Sequence, residues 1–193
     1  MGLSSIHLGG SWEAIRIESD SGQSHMKIFG LGLSKTGTMS LTRALARLGY
    51  KAKHYPSIER IVSEAERYDA LTDSPVSIFM EALDRLYPQA KFILTVRDEE
   101  LWLESCRRHW LGRKPTTPGW RRVRQAIYGQ EDFDGDSFRR VQKEHTARVR
   151  RYFDGRPDDL LILDICGGEG YELLCPFLGL PVLDEPFPHE NRG

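Results

Sequence analysis

Apolar positions along the chain follow two alternating rhythms. Short continuous apolar runs occur at 27–32 (KIFGLG), 91–96 (KFILTV) and 160–165 (LLILDI), and between them apolar residues recur at helical spacing. KFILTV is the clearest strand, because an unbroken apolar run is what a strand buried on both faces requires. Residues 51–54 and 69–73 read as shorter strands. Helices are predicted over 37–48, ended by Gly49, and from Ser57, with Ile58, Ile61, Val62 and Ala65 on one face. Ser74-Pro75 reads as a cap followed by proline at the first helical position, opening a helix striped by Phe79, Ala82, Leu83 and Leu86 and stopped by Pro88. Asp98 caps the next helix, with Glu99 and Glu100 in its first turn and Trp102, Cys106 and His109 on one face. Residues 111–136, broken by glycine and proline, read as irregular, and helices over 137–153 and 171–178 complete the pattern. Strands alternating with helices predict an α/β fold with a mostly parallel sheet covered on both faces.

Composition narrows the picture. At 193 residues the chain suits one domain with a real core. A net charge of −1 implies neither a nucleic-acid nor a membrane partner, and no apolar run approaches a membrane span. Cys106, Cys166 and Cys175 form a sparse odd set that fits a reducing cytoplasm. Residues 1–25, rich in Ser and Gly, read as a tag-like or disordered extension carrying at most a weak strand at 14–17. The domain is placed at 26–193.

The chemistry concentrates where the first strand meets the first helix. The turn holds Gly30, Gly32 and Gly37 with Lys35, Thr36 and Thr38, at a helix N-terminus whose N–H groups and partial positive charge suit an anion. A Walker A loop places Lys after its second Gly, whereas here Lys35 precedes Gly37, and the third Gly of a dinucleotide fingerprint is replaced by Lys35. Asp73 and Arg97 follow other strands at their carboxyl ends, where parallel sheets bind ligands, so the three groups are expected to converge on one crevice.

These residues resemble the sulfotransferases that use 3′-phosphoadenosine 5′-phosphosulfate (PAPS), a family with a P-loop-like fold. GLSKTGTMSL resembles that family's 5′-phosphosulfate loop. The match implies Lys35 at the bridging oxygen and sulfuryl group, and Thr36, Gly37 and Thr38 on the 5′-phosphate, with Ser34, Met39 and Ser40 completing the cofactor-binding loop. VRDEELWLES matches the Arg and Ser, eight residues apart, that hold the 3′-phosphate, which implies that role for Arg97 and Ser105. The tail LCPFLGLPVLDEPFPHEN resembles the C-terminal signature of a short branch of the family, with Phe177 and Leu178 expected to pack. The resemblance implies PAPS as donor, no metal, and a small-molecule acceptor bearing a hydroxyl or amine.

Two residues compete as the base. Aligned between the phosphate motifs, Asp73 takes the position of the family's histidine, although it also suits an N-cap. His54 is the alternative. Ser40 stands where many relatives place an adenine-stacking Trp, leaving Trp102 or Trp110 as substitutes. The basic stretch 107–124 reads either as a solvated face and lid or as a cover that attracts anions. The rival readings are an ATP- and magnesium-dependent P-loop kinase, with Asp164 its one candidate Walker B carboxylate, and an inactive nucleotide-binding relative. A homodimer stays open.

Overall fold

The structure, a computed structural model, describes residues 26–190, so the extension at 1–25 and the last three residues, 191–193, lie outside it. In chain order the elements are β1 (Ile28–Gly30), α1 (Thr38–Arg47), β2 (Ala52–His54), α2 (Ile61–Arg67), β3 (Ala70–Thr72), α3 (Ser74–Ile78), α4 (Met80–Leu86), β4 (Lys91–Thr95), α5 (Glu99–Trp110), α6 (Pro118–Tyr128), α7 (Gly135–Tyr152), β5 (Leu160–Leu163) and α8 (Tyr171–Phe177). The five strands form one parallel sheet in the order β2-β3-β1-β4-β5. From central β1 the chain moves to one side for β2 and β3, then crosses to the other for β4 and β5. The carboxyl end of β1 is therefore the switch point where such sheets bind ligands.

Strand alternation divides the core. Phe29, Leu71, Phe92 and Leu94 pack against α2, α4 and α7, including Ala65, Leu83, Val149 and Phe153. Ile28, Ala70, Ile93 and Leu163 face the other way onto α1 and α8, against Leu41, Leu45, Leu174 and Cys175. The register sets Phe29 beside both Leu71 and Phe92, which explains why these strands are apolar without interruption. Leu178 is buried and Phe177 packs against the second cluster, as the tail's composition predicts.

A third cluster joins Trp102, Cys106 and Trp110 of α5 to Tyr128, Phe138 and Val141. It depends on α6, which lies inside the stretch expected to be irregular. Thr117 accepts a hydrogen bond from the Trp120 N–H, Pro118 occupies the first turn, and Gly129 ends the helix in the left-handed region. Those signals stand in the sequence. The apolar stripe is hard to see because Arg124 occupies a buried position in it.

Smaller departures have local causes. Ser57 opens a 3₁₀ turn (Ile58–Arg60), but its hydroxyl bonds Glu59 instead of capping a backbone N–H, and Val62 is exposed. The helix expected after Pro75 is two pieces broken at Phe79, with Leu86 exposed. Its cap is Asp73, whose carboxylate accepts from the Ser74 N–H, and not Ser74 itself. Among the described residues no helix is long and apolar enough to cross a membrane.

Candidate functional site

All five strands deliver residues to one cavity of about 510 Å³. After β1 come Lys35, Gly37, Thr38, Met39 and Ser40; β2 ends in His54, β3 in Asp73, β4 in Arg97 and β5 in Ile165 and Cys166. Convergence on one crevice is thus observed for Lys35, Asp73 and Arg97. The tail adds His189 and Glu190, with the Glu190 N–H donating to Ser40 Oγ at 3.0 Å and its carboxylate paired with Arg43. The contact joins opposite ends of the chain, so no local pattern encodes its geometry.

The loop is held from behind, leaving its front open. Trp102 Nε1 donates to the Ser34 carbonyl at 3.0 Å, His145 Nε2 to the Leu31 carbonyl at 2.8 Å, and Gln142 to the Arg97 carbonyl at 3.2 Å. Thr36 faces inward. Its hydroxyl donates to the Leu33 carbonyl at 2.7 Å and meets Thr95 Oγ1 at 2.6 Å, so it braces the loop and does not line the cavity. Gly32 is dictated by this bracing, since a Cβ there would sit 1.8 Å from Thr95 Oγ1. Gly37 has φ 95°, and a Cβ there would press on Ile165. The N–H groups of Thr38, Met39 and Ser40, the first turn of α1, are left available for an anion, because the helix ladder starts with the Leu41 N–H. Lys35 Nζ makes no ion pair or hydrogen bond among the described residues.

Arg97 donates from Nη1 to the Lys35 carbonyl at 3.2 Å, while its Nε is buried without a partner. A buried guanidinium N–H left unbonded is costly, and an anion beside Lys35 and Arg97 would satisfy it. Ser105 is buried on the face of α5 shared with Trp102 and Cys106, and it is not among the residues lining this cavity.

Asp73 and His54, alternatives in the sequence, are partners. His54 Nε2 lies 2.7 Å from Asp73 Oδ2, which also accepts from Thr38 Oγ1 at 2.8 Å. Asp73 Oδ1 accepts from Ser34 Oγ and the Ser74 N–H, both at 2.5 Å. All four lone-pair sites of this buried carboxylate are occupied. Burial alone would raise its pKa, but the bonds from His54, Ser34 and Ser74 outweigh that and hold it below the usual carboxylate range. A carboxylate only accepts, so the imidazole donates from Nε2, and its neutral form carries the lone pair on Nδ1.

A second cavity of about 240 Å³ lies across this pair. His54 and Asp73 border both. Its other walls are Ser34, Tyr55, Ser74, His109, Trp110, Trp120, Val123, Arg124 and Tyr128. Trp110 thus belongs to the second cavity, and Trp102 is wholly buried in the core, so neither offers the first cavity a stacking face. Asp164 accepts from the Gly167 N–H as the cap of a 3₁₀ turn. Much of the basic stretch is a solvated face: Arg107 pairs with Glu104, Arg121 with Glu131 and Arg122 with Glu59 at exposed positions.

The described non-glycine residues with positive φ are Lys35 (76°), Tyr55 (50°) and Asp73 (89°), and each borders one of the two cavities or both. Such strain persists only where the surroundings impose it, and it clusters at functional sites.

Comparison with known proteins bears on the family and the fold. The chain is similar to the Ava biosynthesis cluster protein M of Aspergillus versicolor, at 29% identity over 215 aligned residues, covering 85% of this chain and 80% of that protein. Its fold is shared with the crystal structure of a sulfotransferase from Alicyclobacillus acidocaldarius, with a TM-score of 0.56 at 19% identity, covering 87% of this chain and 85% of that one. A family model described as a sulfotransferase domain matches residues 27–64 and 57–193, and with that match over almost the whole α/β unit the chain belongs to the sulfotransferase domain family.

Proposed function

We propose that this protein transfers a sulfuryl group from PAPS to a hydroxyl or amine of a small-molecule acceptor. The observation that carries the reading is the His54–Asp73 pair, which forms the boundary between a cavity whose lining suits an anion and an aromatic one. A donor on one side and an acceptor on the other would meet at these two side chains. The open N–H groups of α1, Lys35 Nζ and the unpartnered Nε of Arg97 suit a donor with two separated anionic groups. Ser105 remains the proposed second contact to the 3′-phosphate.

The geometry divides the chemistry between the two candidate bases. Asp73 accepts four hydrogen bonds and is held ionised, so it orients His54 and stabilises the imidazolium. His54 takes the proton of the acceptor as its oxygen or nitrogen bonds to sulfur and the S–O bond to phosphate breaks. Negative charge then grows on the phosphate side, where Lys35 and the helix N-terminus stand ready without reorganisation. The free thiols of Cys106, Cys166 and Cys175 support a reducing, cytoplasmic setting.

Calorimetric titration with 3′,5′-adenosine bisphosphate, ADP and ATP tests the donor. The bisphosphate is expected to bind most tightly, and Arg97→Ala to weaken it about tenfold or more. Preference for ATP would overturn the reading.

A further inference from the structure

The second cavity holds two groups that the transfer step does not use. Arg124 is buried at 8% exposure, and its described hydrogen bonds leave from one nitrogen, Nη1, to the carbonyls of Arg113 and Glu131 at 2.7 and 2.6 Å. Its guanidinium lies 5.8 Å from the centre of the Trp110 ring. No described carboxylate reaches ion-pair distance; Glu131 and Asp132 act on it only as more distant charges. This separates Arg124 from Arg107, Arg121 and Arg122, which have acidic partners in solvent. One turn along α6, Tyr128 borders the same cavity at 4% exposure, with its hydroxyl buried near Ser74 but without a well-formed hydrogen bond to it.

A buried cation without a counter-ion and a buried donor whose bond is poorly formed both carry a desolvation cost. One carboxylate placed between them would relieve both. The local field agrees: partial burial and the positive charges of Lys35, Arg113 and Arg124 hold the His109 imidazole below its ordinary range. The remaining walls are flat aromatic faces, Tyr55, Trp110 and Trp120, and the volume of about 240 Å³ is below that of drug-sized sites. We propose that the acceptor is a small aromatic hydroxy acid, its carboxylate held by Arg124 and Tyr128 and its hydroxyl presented to His54. The fate of the hydroxyl rests on the sulfuryl-transfer reading, whereas the carboxylate site does not.

The test is calorimetric titration of the nucleotide-free chain with 4-hydroxybenzoate and with 4-hydroxybenzamide, which has nearly the same shape without the charge. The acid is expected to bind about tenfold tighter or more, as for a charge-assisted bidentate contact. Arg124→Gln should abolish that preference, and Arg97→Ala should leave it intact, which excludes capture by the first cavity. Tyr128→Phe keeps the ring stacked on Phe138 at 4.0 Å and removes only the hydroxyl. It should weaken the acid several-fold with Tm unchanged or higher, and it decides the matter if Arg124→Gln does not fold. Equal affinity for acid and amide, or a preference that survives Tyr128→Phe undiminished, would overturn the proposal. Failure of the bisphosphate to bind would remove the sulfuryl-transfer reading and leave this preference standing.

Discussion

Lys35 occupies the left-handed region at φ 76°, where an L side chain costs about 1–2 kcal/mol relative to glycine. Its ammonium has no ion pair or hydrogen bond among the described residues, so no such contact there accounts for that cost. Lys35→Ala should lower turnover by about 10²-fold or more while leaving Tm nearly unchanged, because Ala bears the same backbone strain. Lys35→Gly should be equally inactive but about 1 kcal/mol more stable than Lys35→Ala, measured by urea unfolding. Near-normal turnover in either variant would remove Lys35 from the mechanism. Asp73 carries a larger stake, being buried with four donors on its carboxylate. In Asp73→Asn the amide would turn an N–H₂ group against two of those donors. A stability loss of about 2–4 kcal/mol is expected, with turnover down about 10²-fold or more even where the variant is fully folded. Sequence reasoning isolated both residues, yet it set Asp73 and His54 against each other. Their partnership follows from β2 lying beside β3, a pairing no local pattern encodes.

At the scale of elements, legibility tracked how uniformly each segment is buried. β4 was plain because its residues face apolar layers on both sides, and the cap of α5 because Asp98 precedes two glutamates. α6 was missed although Thr117, Pro118 and Gly129 mark its ends, since arginine at a buried position interrupts its apolar stripe. That same arginine is the residue on which the proposed carboxylate site depends, so the irregularity and the proposed specificity would have one cause. Thr117 is the lever on this element. Thr117→Ala removes the bond from the Trp120 N–H and should cost about 1 kcal/mol. Because α6 supplies Trp120, Val123, Arg124 and Tyr128 to the second cavity and nothing to the first, the substitution should raise KM for the acceptor more than for the donor. Equal effects on both constants would show that α6 does not act through the acceptor side.

At the scale of the whole molecule, the ligand face is backed by buried groups whose protonation costs stability, and falling pH reaches them in order. His145 on α7 donates to the Leu31 carbonyl behind the loop, and burial lowers its pKa to about 4. A histidine whose folded pKa is depressed binds fewer protons folded than unfolded below its ordinary value near 6.5, so stability falls as pH falls. The contribution is complete above about pH 6.5 and is lost progressively down to about pH 4, reaching about 3 kcal/mol. Asp73 comes later. Its folded pKa is depressed below the usual aspartate range, so its contribution is full above that range and disappears only as the solution becomes more acidic still. Urea midpoints measured from pH 7 to pH 4 should therefore decline in the wild type. In His145→Gln, whose amide can still donate to Leu31 but cannot take a proton, the decline over that interval should flatten. If the two proteins lose stability in parallel, the burial of His145 is not the source of the acid sensitivity.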